Sequence, residues 1–316
     1  MIVTVTLNPS IDRTACLPGR LERGQVNRLG QSTDVAAGKG VNISRVLCGA
    51  GVDTCAVVPA GAKDRLVAGL TNDKIPHVAV PISAPARTNL TITEPDGTTT
   101  KINQPGAPLT PDELRAAEEV ILDTSTDAEW VVLSGSLPPG VAPNWYATMT
   151  RRLHEIGVTV AVDTSDEPLQ QLSRELPEAA PDLVKPNSVE LGQLCGTDGD
   201  SLEAAAEQGH FDDVVTAARR LHGIPEVLVT LGRAGALLVT ETSAWHAWPD
   251  PVEVKSTVGT GDSSLAGFLL ARTHGDRPEK CLRTAVAWGT AAAALPGSTM
   301  PTPSQADAIH VSLTHL

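Results

Sequence analysis

The residues best placed to do chemistry lie in the segment Ser256-Thr-Val-Gly-Thr-Gly-Asp262, which runs on into Ser-Ser-Leu-Ala-Gly-Phe268. A Gly-x-Gly turn leading into an apolar-periodic helix leaves unpaired backbone N–H groups at the positive end of the helix dipole, which makes an anion site. Asp262 follows that turn directly. A carboxylate there would repel a resting phosphate unless its task is to take a proton. An anion hole beside a carboxylate is what phosphoryl transfer to a hydroxyl requires: the carboxylate accepts the hydroxyl proton and the amides hold the migrating charge. Spacing alone equally admits a glycine-rich turn whose Asp caps a helix.

A second segment, Ala36-Ala-Gly-Lys-Gly-Val-Asn42, combines two glycines that permit close backbone approach, a cation in Lys39, and in Asn42 a donor and acceptor for a polyol. It is not a Walker A loop, because Thr33 stands where the first Gly belongs and Gly40 where Ser or Thr belongs. It also lacks the third Gly of a dinucleotide fingerprint. In Lys185-Pro-Asn-Ser-Val-Glu190, Asn187 and Glu190 share a helix face and can both aim oxygens at a hydrated Mg²⁺. The same pair reads as a capping box, and the two readings can coexist. Lesser signals are Asn8-Pro-Ser-Ile-Asp12, Leu133-Ser-Gly-Ser-Leu-Pro138 and Thr230-Leu-Gly-Arg-Ala-Gly235. Each follows an expected strand, where open α/β sheets bind ligands, although turn chemistry alone accounts for each. Ser136 is not in a Gly-x-Ser-x-Gly context, so a hydrolase nucleophile is not expected.

The elements that must position these residues alternate from about residue 40 onward. Helices are expected over 41–51, 64–70, from a capping box at Thr110-Pro-Asp-Glu113, and over 143–156, 212–222, 263–272 and 279–294, the last pair closing the chain. Strands are expected over 54–58, 130–133, 158–162, 182–184 and 227–231. This alternation means a parallel sheet covered on both faces. Residues 13–36 and 86–104 break the rhythm with polar, alternating segments, and Asp96-Gly97 between two of them is a hairpin signal. They are expected to form a small β sheet projecting from the core. No repeat and no long linker divides the 316 residues.

The charge balance is −13, which argues against a broad basic face for nucleic acid yet leaves room for an anionic small molecule. Five widely spaced cysteines without a C-x-x-C fit reduced thiols in the cytoplasm, and the eight histidines show no zinc spacing. The opening Met-Ile-Val-Thr-Val lacks a basic n-region and reads as a strand, not a signal peptide. The longest apolar stretch, 285–295, is well short of the ~20 residues a membrane span needs.

Taken together, the chain resembles the ribokinase-like (PfkB) sugar kinase family over essentially its whole length. The resemblance rests on Ala37-Gly-Lys-Gly-Val-Asn42 running on to Gly49 and Gly51, and on Ser256-Thr-Val-Gly-Thr-Gly-Asp262. Thr6-Leu-Asn-Pro-Ser-Ile-Asp12, Glu22-Arg-Gly-Gln-Val-Asn27 and Ser134-Gly-Ser-Leu-Pro138 look like the members that phosphorylate fructose 1-phosphate. Two positions depart from the family pattern: Thr260 stands where Ala is usual, and Ala37 where Gly is frequent.

The resemblance implies a single three-layer α/β domain with a β lid that often mediates dimers. It implies ATP and Mg²⁺, with Asp262 as base and the amides of Gly259, Thr260 and Gly261 as anion hole. Asp12, Gly38, Asn42, Arg87 and Ser136 would surround the sugar. Lys185, Asn187, Thr230, Gly232 and Gly235 would lie along the nucleotide, and Asn187 and Glu190 in the metal–phosphate network. A phosphate at the far end of the sugar needs cations away from Asp262, and Lys39, Arg87 and Lys101 are the charges available. The implied reaction converts fructose 1-phosphate to fructose 1,6-bisphosphate, with tagatose 6-phosphate or fructose 6-phosphate as other acceptors. A non-catalytic sugar-phosphate sensor would be expected to lack the base or the Mg²⁺ pair. A nicotinamide dehydrogenase is disfavoured by the missing glycine fingerprint.

Overall fold

Ile2-Val-Thr-Val is apolar on both sides of its pleat, as a strand between two helical layers must be. In the computed structural model, which describes residues 1–316, it forms β1 (Ile2–Val5). The chain continues through β2 (Ser10–Cys16), β3 (Ser32–Ala37), α1 (Lys39–Gly49), β4 (Thr54–Pro59), α2 (Arg65–Asn72) and β5 (His77–Val80). Next come β6 (Arg87–Thr93), β7 (Thr99–Asn103), α3 (Pro111–Ser125), β8 (Trp130–Ser134), α4 (Trp145–Glu155) and β9 (Thr159–Asp163). They are followed by α5 (Asp166–Arg174), β10 (Leu183–Val184), α6 (Ser188–Cys195), α7 (Gly199–Glu207), α8 (Asp212–Arg219) and β11 (Glu226–Thr230). A 3-10 turn (Gly232–Ala234), β12 (Ala236–Val239), β13 (Ala244–Pro249), α9 (Thr260–Thr273), α10 (Pro278–Ala293), α11 (Pro303–Asp307) and β14 (Val311–His315) complete it.

Ten strands make one sheet in the order β14-β13-β12-β11-β10-β9-β8-β1-β4-β5, parallel from β5 to β11 and antiparallel at the β12–β14 edge. Ile2 and Val132 face α1, α9 and α10, where Ile43, Leu47, Leu265, Phe268 and Val286 join one core. Val3, Val5, Val131 and Leu133 face the opposite way into a core with Ile121 of α3 and Met149 and Leu153 of α4. Helices on both faces make the expected three-layer α/β architecture. From β1 the chain moves outward to β4 and β5, then returns to the other side of β1 at β8. The loops after β1 and β8 therefore diverge at a topological switch point, where doubly wound sheets open a ligand crevice.

The projecting sheet also forms, in the order β3-β2-β6-β7. Asp96-Gly97 turns the β6–β7 hairpin, with Gly97 at φ 89°. Its ladder reaches further into the core than the alternating pattern indicates: β2 starts at Ser10 and β3 ends at Ala37, whereas residues 17–31 contain no helix or strand. Two further corrections concern the C-terminal part. The chain does not close on α10, because α11 and the edge strand β14 follow. Strand β12 is a four-residue, fully apolar run and β13 (Ala-Trp-His-Ala-Trp-Pro) lacks a polar–apolar alternation, so periodicity does not separate them from loop or helix. No helix is long and apolar enough to cross a membrane.

Candidate active site

The Ser256–Asp262 segment forms the turn its glycines require. Gly259 caps α9 in the left-handed conformation (φ 75°), and the helix begins at Thr260, three residues before the expected start. Asp262 therefore lies inside the first turn, beside N–H groups that have no intrahelical partner. The Thr260 hydroxyl donates to the Thr257 carbonyl at 3.1 Å and so tightens the loop leading into the turn. Thr260 is thus accommodated where a smaller residue is usual.

Asp262 is buried, and Asn42 Nδ2 donates to its Oδ2 at 2.8 Å. Burial pushes the carboxyl up to about 6, with Asp163 adding to the rise while Lys39, the Asn42 hydrogen bond and Lys185 restrain it. A carboxylate tuned there is ionised at neutral pH yet more basic than a solvated aspartate, as a general base should be.

Lys39 occupies the first turn of α1, one turn ahead of Asn42. Its Nζ lies 2.7 Å from Oδ1 of Asp163, the last residue of β9, whose side chain is fully buried. On the other side of that carboxylate, Lys185 Nζ is 3.3 Å from Oδ2. Burial opposes ionisation of Asp163, but Lys185 and Lys39 together hold its carboxyl below the usual carboxylate range. Burial likewise works against the Lys39 ammonium, and Asp163, Asp262 and Glu190 outweigh it, so Lys39 is raised above an ordinary lysine. Lys185 also lies under the anion turn, with its Nζ 3.1 Å from where a Cβ on Gly261 would stand. Spacing did not bring out Asp163. A charged residue ending the apolar run Val158–Val162 at the carboxyl edge of a strand was the available signal.

Asn187 and Glu190 form the capping box in full: Asn187 Oδ1 accepts from Glu190 N and Glu190 Oε2 accepts from Asn187 N, both at 2.8 Å. That leaves Glu190 Oε1 free of these bonds. Burial raises the Glu190 carboxyl against the opposing pull of Lys39. Thr230, the last residue of β11, bridges to Asn187 and places the 3-10 turn beside α6.

The glycines of the second segment serve packing as well as access. A Cβ on Gly38 would stand 2.7 Å from Thr6 Cγ2, and one on Gly40 would stand 2.5 Å from Thr6 Oγ1. The close approach they permit is thus to the end of β1, and it brings Lys39 over the switch point. Gly235 is comparable, since its Cβ would meet the Ala247 carbonyl of β13 at 2.1 Å, and the Glu203 carboxylate covers Gly232. At Gly235 the approach is to protein.

On the lid, parallel pairing of β2 with β6 sets Ser10 opposite Arg87 and Asp12 opposite Asn89. Asp12 Oδ1 accepts from Ser10 Oγ at 2.7 Å and from Asn89 Nδ2 at 3.0 Å. Arg87 donates to the Gln104 carbonyl at 3.1 Å and to Ser136 Oγ at 3.2 Å, which ties the lid to the loop after β8. Burial lowers Arg87 from an ordinary guanidinium, partly offset by Asp12. Asn8 Nδ2 reaches the same Ser136 Oγ at 3.2 Å. Lys101 is exposed on β7. The three cations grouped by the charge argument are thus separated. Arg87 and Lys101 belong to the lid, whereas Lys39 sits in the α/β core beside Asp163 and within the field of Asp262. Sequence reasoning did not find Asn89 or Asp163, and within the Asn8–Asp12 signal it gave no role to Asn8 or Ser10, because their roles depend on which segments pair.

Residues 5–305 match the pfkB family of carbohydrate kinases. The chain belongs to this family. It is 31% identical over 292 residues to a 1-phosphofructokinase of Vibrio cholerae, covering 90% of this chain and 87% of the relative. It is 32% identical over 297 residues to the ATP-dependent 6-phosphofructokinase isozyme 2 of Escherichia coli, covering 92% of each. Phosphofructokinase-2 from Escherichia coli, solved in complex with potassium, superposes with a TM-score of 0.87 at 29% identity, over 97% of this chain and 96% of the other. The protein is accordingly a sugar-phosphate kinase that uses ATP.

Proposed function

We propose that this kinase phosphorylates the free primary hydroxyl of fructose 1-phosphate, giving fructose 1,6-bisphosphate and ADP. The observation that carries the reading is the buried Asp262 carboxylate, held by Asn42 at 2.8 Å beside the amides of the Gly259–Gly261 turn. Asp262 takes the hydroxyl proton as that oxygen bonds to the γ-phosphorus and the bond from phosphorus to the ADP oxygen breaks. The amides of Gly259, Thr260 and Gly261, with Lys39 close by, hold the charge of the moving phosphoryl group. The fructose assignment follows relatives that carry the name 1-phosphofructokinase.

Asp12, Gly38 and Asn42 line the sugar end in this reading, and Arg87, Ser136 and Lys101 meet the distal phosphate. Lys185, Asn187, Thr230, Gly232 and Gly235 follow the nucleotide. Glu190 suits Mg²⁺, because a buried carboxylate with one oxygen outside its capping bond is the donor such an ion takes alongside phosphate oxygens. No cage of three acidic, His or Cys side chains exists, which fits an ion held mainly by its substrate. Mg²⁺ supplies charge neutralisation between the phosphates when bound. In the same reading the chain is one kinase domain that dimerises through its lid, where Val26, Leu29 and Ile102 are 80%, 50% and 54% exposed.

Fructose 6-phosphate is the competing acceptor, on the strength of the 32% identity to the 6-phosphofructokinase isozyme. ADP release from ATP and Mg²⁺ should be measured with fructose 1-phosphate, fructose 6-phosphate, tagatose 6-phosphate and free fructose. The highest kcat/KM is expected with fructose 1-phosphate, and free fructose should be poor. A higher kcat/KM with either 6-phosphate would overturn the acceptor assignment.

A further inference from the structure

Asn42 makes the one side-chain hydrogen bond to Asp262, and an amide has two ends of nearly equal shape. Which end meets the carboxylate depends on what the other end touches. One turn further along α1, Arg45 Nη1 donates to Asn42 Oδ1 at 3.2 Å. A guanidinium has donors only, so it binds the amide oxygen and leaves the NH₂ group for Asp262. Arg45 is itself fixed from two sides. Its Nη2 donates at 2.6 Å to the carbonyl of Ala36, at the foot of lid strand β3, and at 3.0 Å to Asp73 Oδ2 at the end of α2. Its side chain is 18% exposed, so these bonds are partly sheltered from water.

We propose that Arg45 is a positioning residue that locks the Asn42 amide with its NH₂ toward Asp262, and thereby keeps the base in its proton-accepting form. With the amide reversed, Oδ1 would face Asp262, which a carboxylate tolerates only after it has gained a proton. The inference rests on Asp262 being the base. Arg45 touches neither the carboxylate nor any group assigned above to sugar or nucleotide except Asn42. The charged groups that act on Asp262 are Lys39 on α1, Asp163 at the end of β9 and Lys185 after β10, and Asp73 is the charged group against Arg45. Arg45→Met also removes the guanidinium charge and unpairs Asp73, effects that do not need the Asn42 amide, so an Asn42→Leu background separates them from the amide's own contribution.

The test is the acid limb of kcat/KM for fructose 1-phosphate in Arg45→Met, with folding followed by thermal unfolding. Losing a donor to the ionised form raises the proton affinity of the carboxylate, so the limb should move to higher pH by about 0.5–1 unit, a three- to tenfold change. The KM for ATP should stay within about twofold. In an Asn42→Leu background the same substitution should give no further displacement of the limb. If Arg45→Met does not fold, Arg45→Lys is read the same way, since one ammonium cannot serve Ala36 O and Asn42 Oδ1 together in the guanidinium's geometry. An unmoved limb, with Asp262→Asn inactive in parallel, overturns the role of Arg45 alone. An active Asp262→Asn enzyme overturns the base assignment beneath it.

Discussion

Replacing Asp163 with Asn tests the electrostatic centre of the site. The wild-type carboxylate is fully buried between Lys39 at 2.7 Å and Lys185 at 3.3 Å, and the Lys185 side chain is only 4% exposed. The amide keeps the shape and removes the charge, leaving two ammonium groups facing a neutral side chain. Removing one partner of a buried pair costs about 3–5 kcal/mol. Lys39 remains one-third exposed and can recover part of its hydration, so the lower end, roughly 3 kcal/mol, applies. At about 2–4 °C per kcal/mol for a chain of this size, the melting temperature should fall by roughly 6–12 °C near pH 7.

The pH dependence gives this prediction a sign as well as a size. The Asp163 carboxyl is held below its unfolded value, so its contribution is complete above about pH 4 and fades only below that. Lys39 is raised, so its contribution is complete below about pH 10. In Asp163→Asn, Lys39 loses its closest anionic partner while burial still opposes its charge, so the folded variant gains stability as pH rises and Lys39 sheds its proton. The gap between the two proteins should therefore narrow from pH 7 to about pH 10. Thermal unfolding by circular dichroism at several pH values decides it. A melting-temperature loss under about 2 °C, or a gap that widens toward pH 10, would refute the clamp.

Two further outcomes follow from the lid. Lys101→Ala removes an exposed cation on β7, so stability should change by under about 0.5 kcal/mol. Its kcat/KM for fructose 1-phosphate should fall roughly ten- to a hundredfold with ATP KM unchanged, and steady-state kinetics showing no loss would remove Lys101 from the substrate phosphate. Val26→Asp combined with Ile102→Asp should convert a dimer to a monomer at micromolar concentration in sedimentation velocity. A parent protein that sediments as a fully active monomer would end the lid-dimer reading.

Much of the fold was legible because its signals were local. The capping boxes at Thr110 and Asn187, the apolar strands before Ser134 and Asp163, and the Asp96-Gly97 hairpin each depend on a few adjacent residues. The Gly259–Gly261 turn was readable for the same reason. What stayed hidden depends on pairing across the chain. No local pattern says that β2 and β6 run parallel with Asp12 beside Asn89, or that Lys39 and Asp163, 124 residues apart, form an ion pair. Lys39 was accordingly grouped with the lid cations by charge alone. The glycines around it looked like ligand-facing positions, because sequence cannot show that Thr6 occupies the space a side chain would need.

The central claim is that Asp262 is the base for phosphoryl transfer, and Asp262→Asn tests it most directly because the amide keeps the shape and removes the basicity. Single-turnover kinetics with saturating ATP, Mg²⁺ and fructose 1-phosphate would read the chemical step, and equilibrium titration would read ATP binding. The account predicts a fall in rate of roughly 10²–10⁴-fold with ATP affinity within about twofold of the parent. A variant that keeps most of its rate, or that loses ATP binding in proportion to its rate, would contradict it.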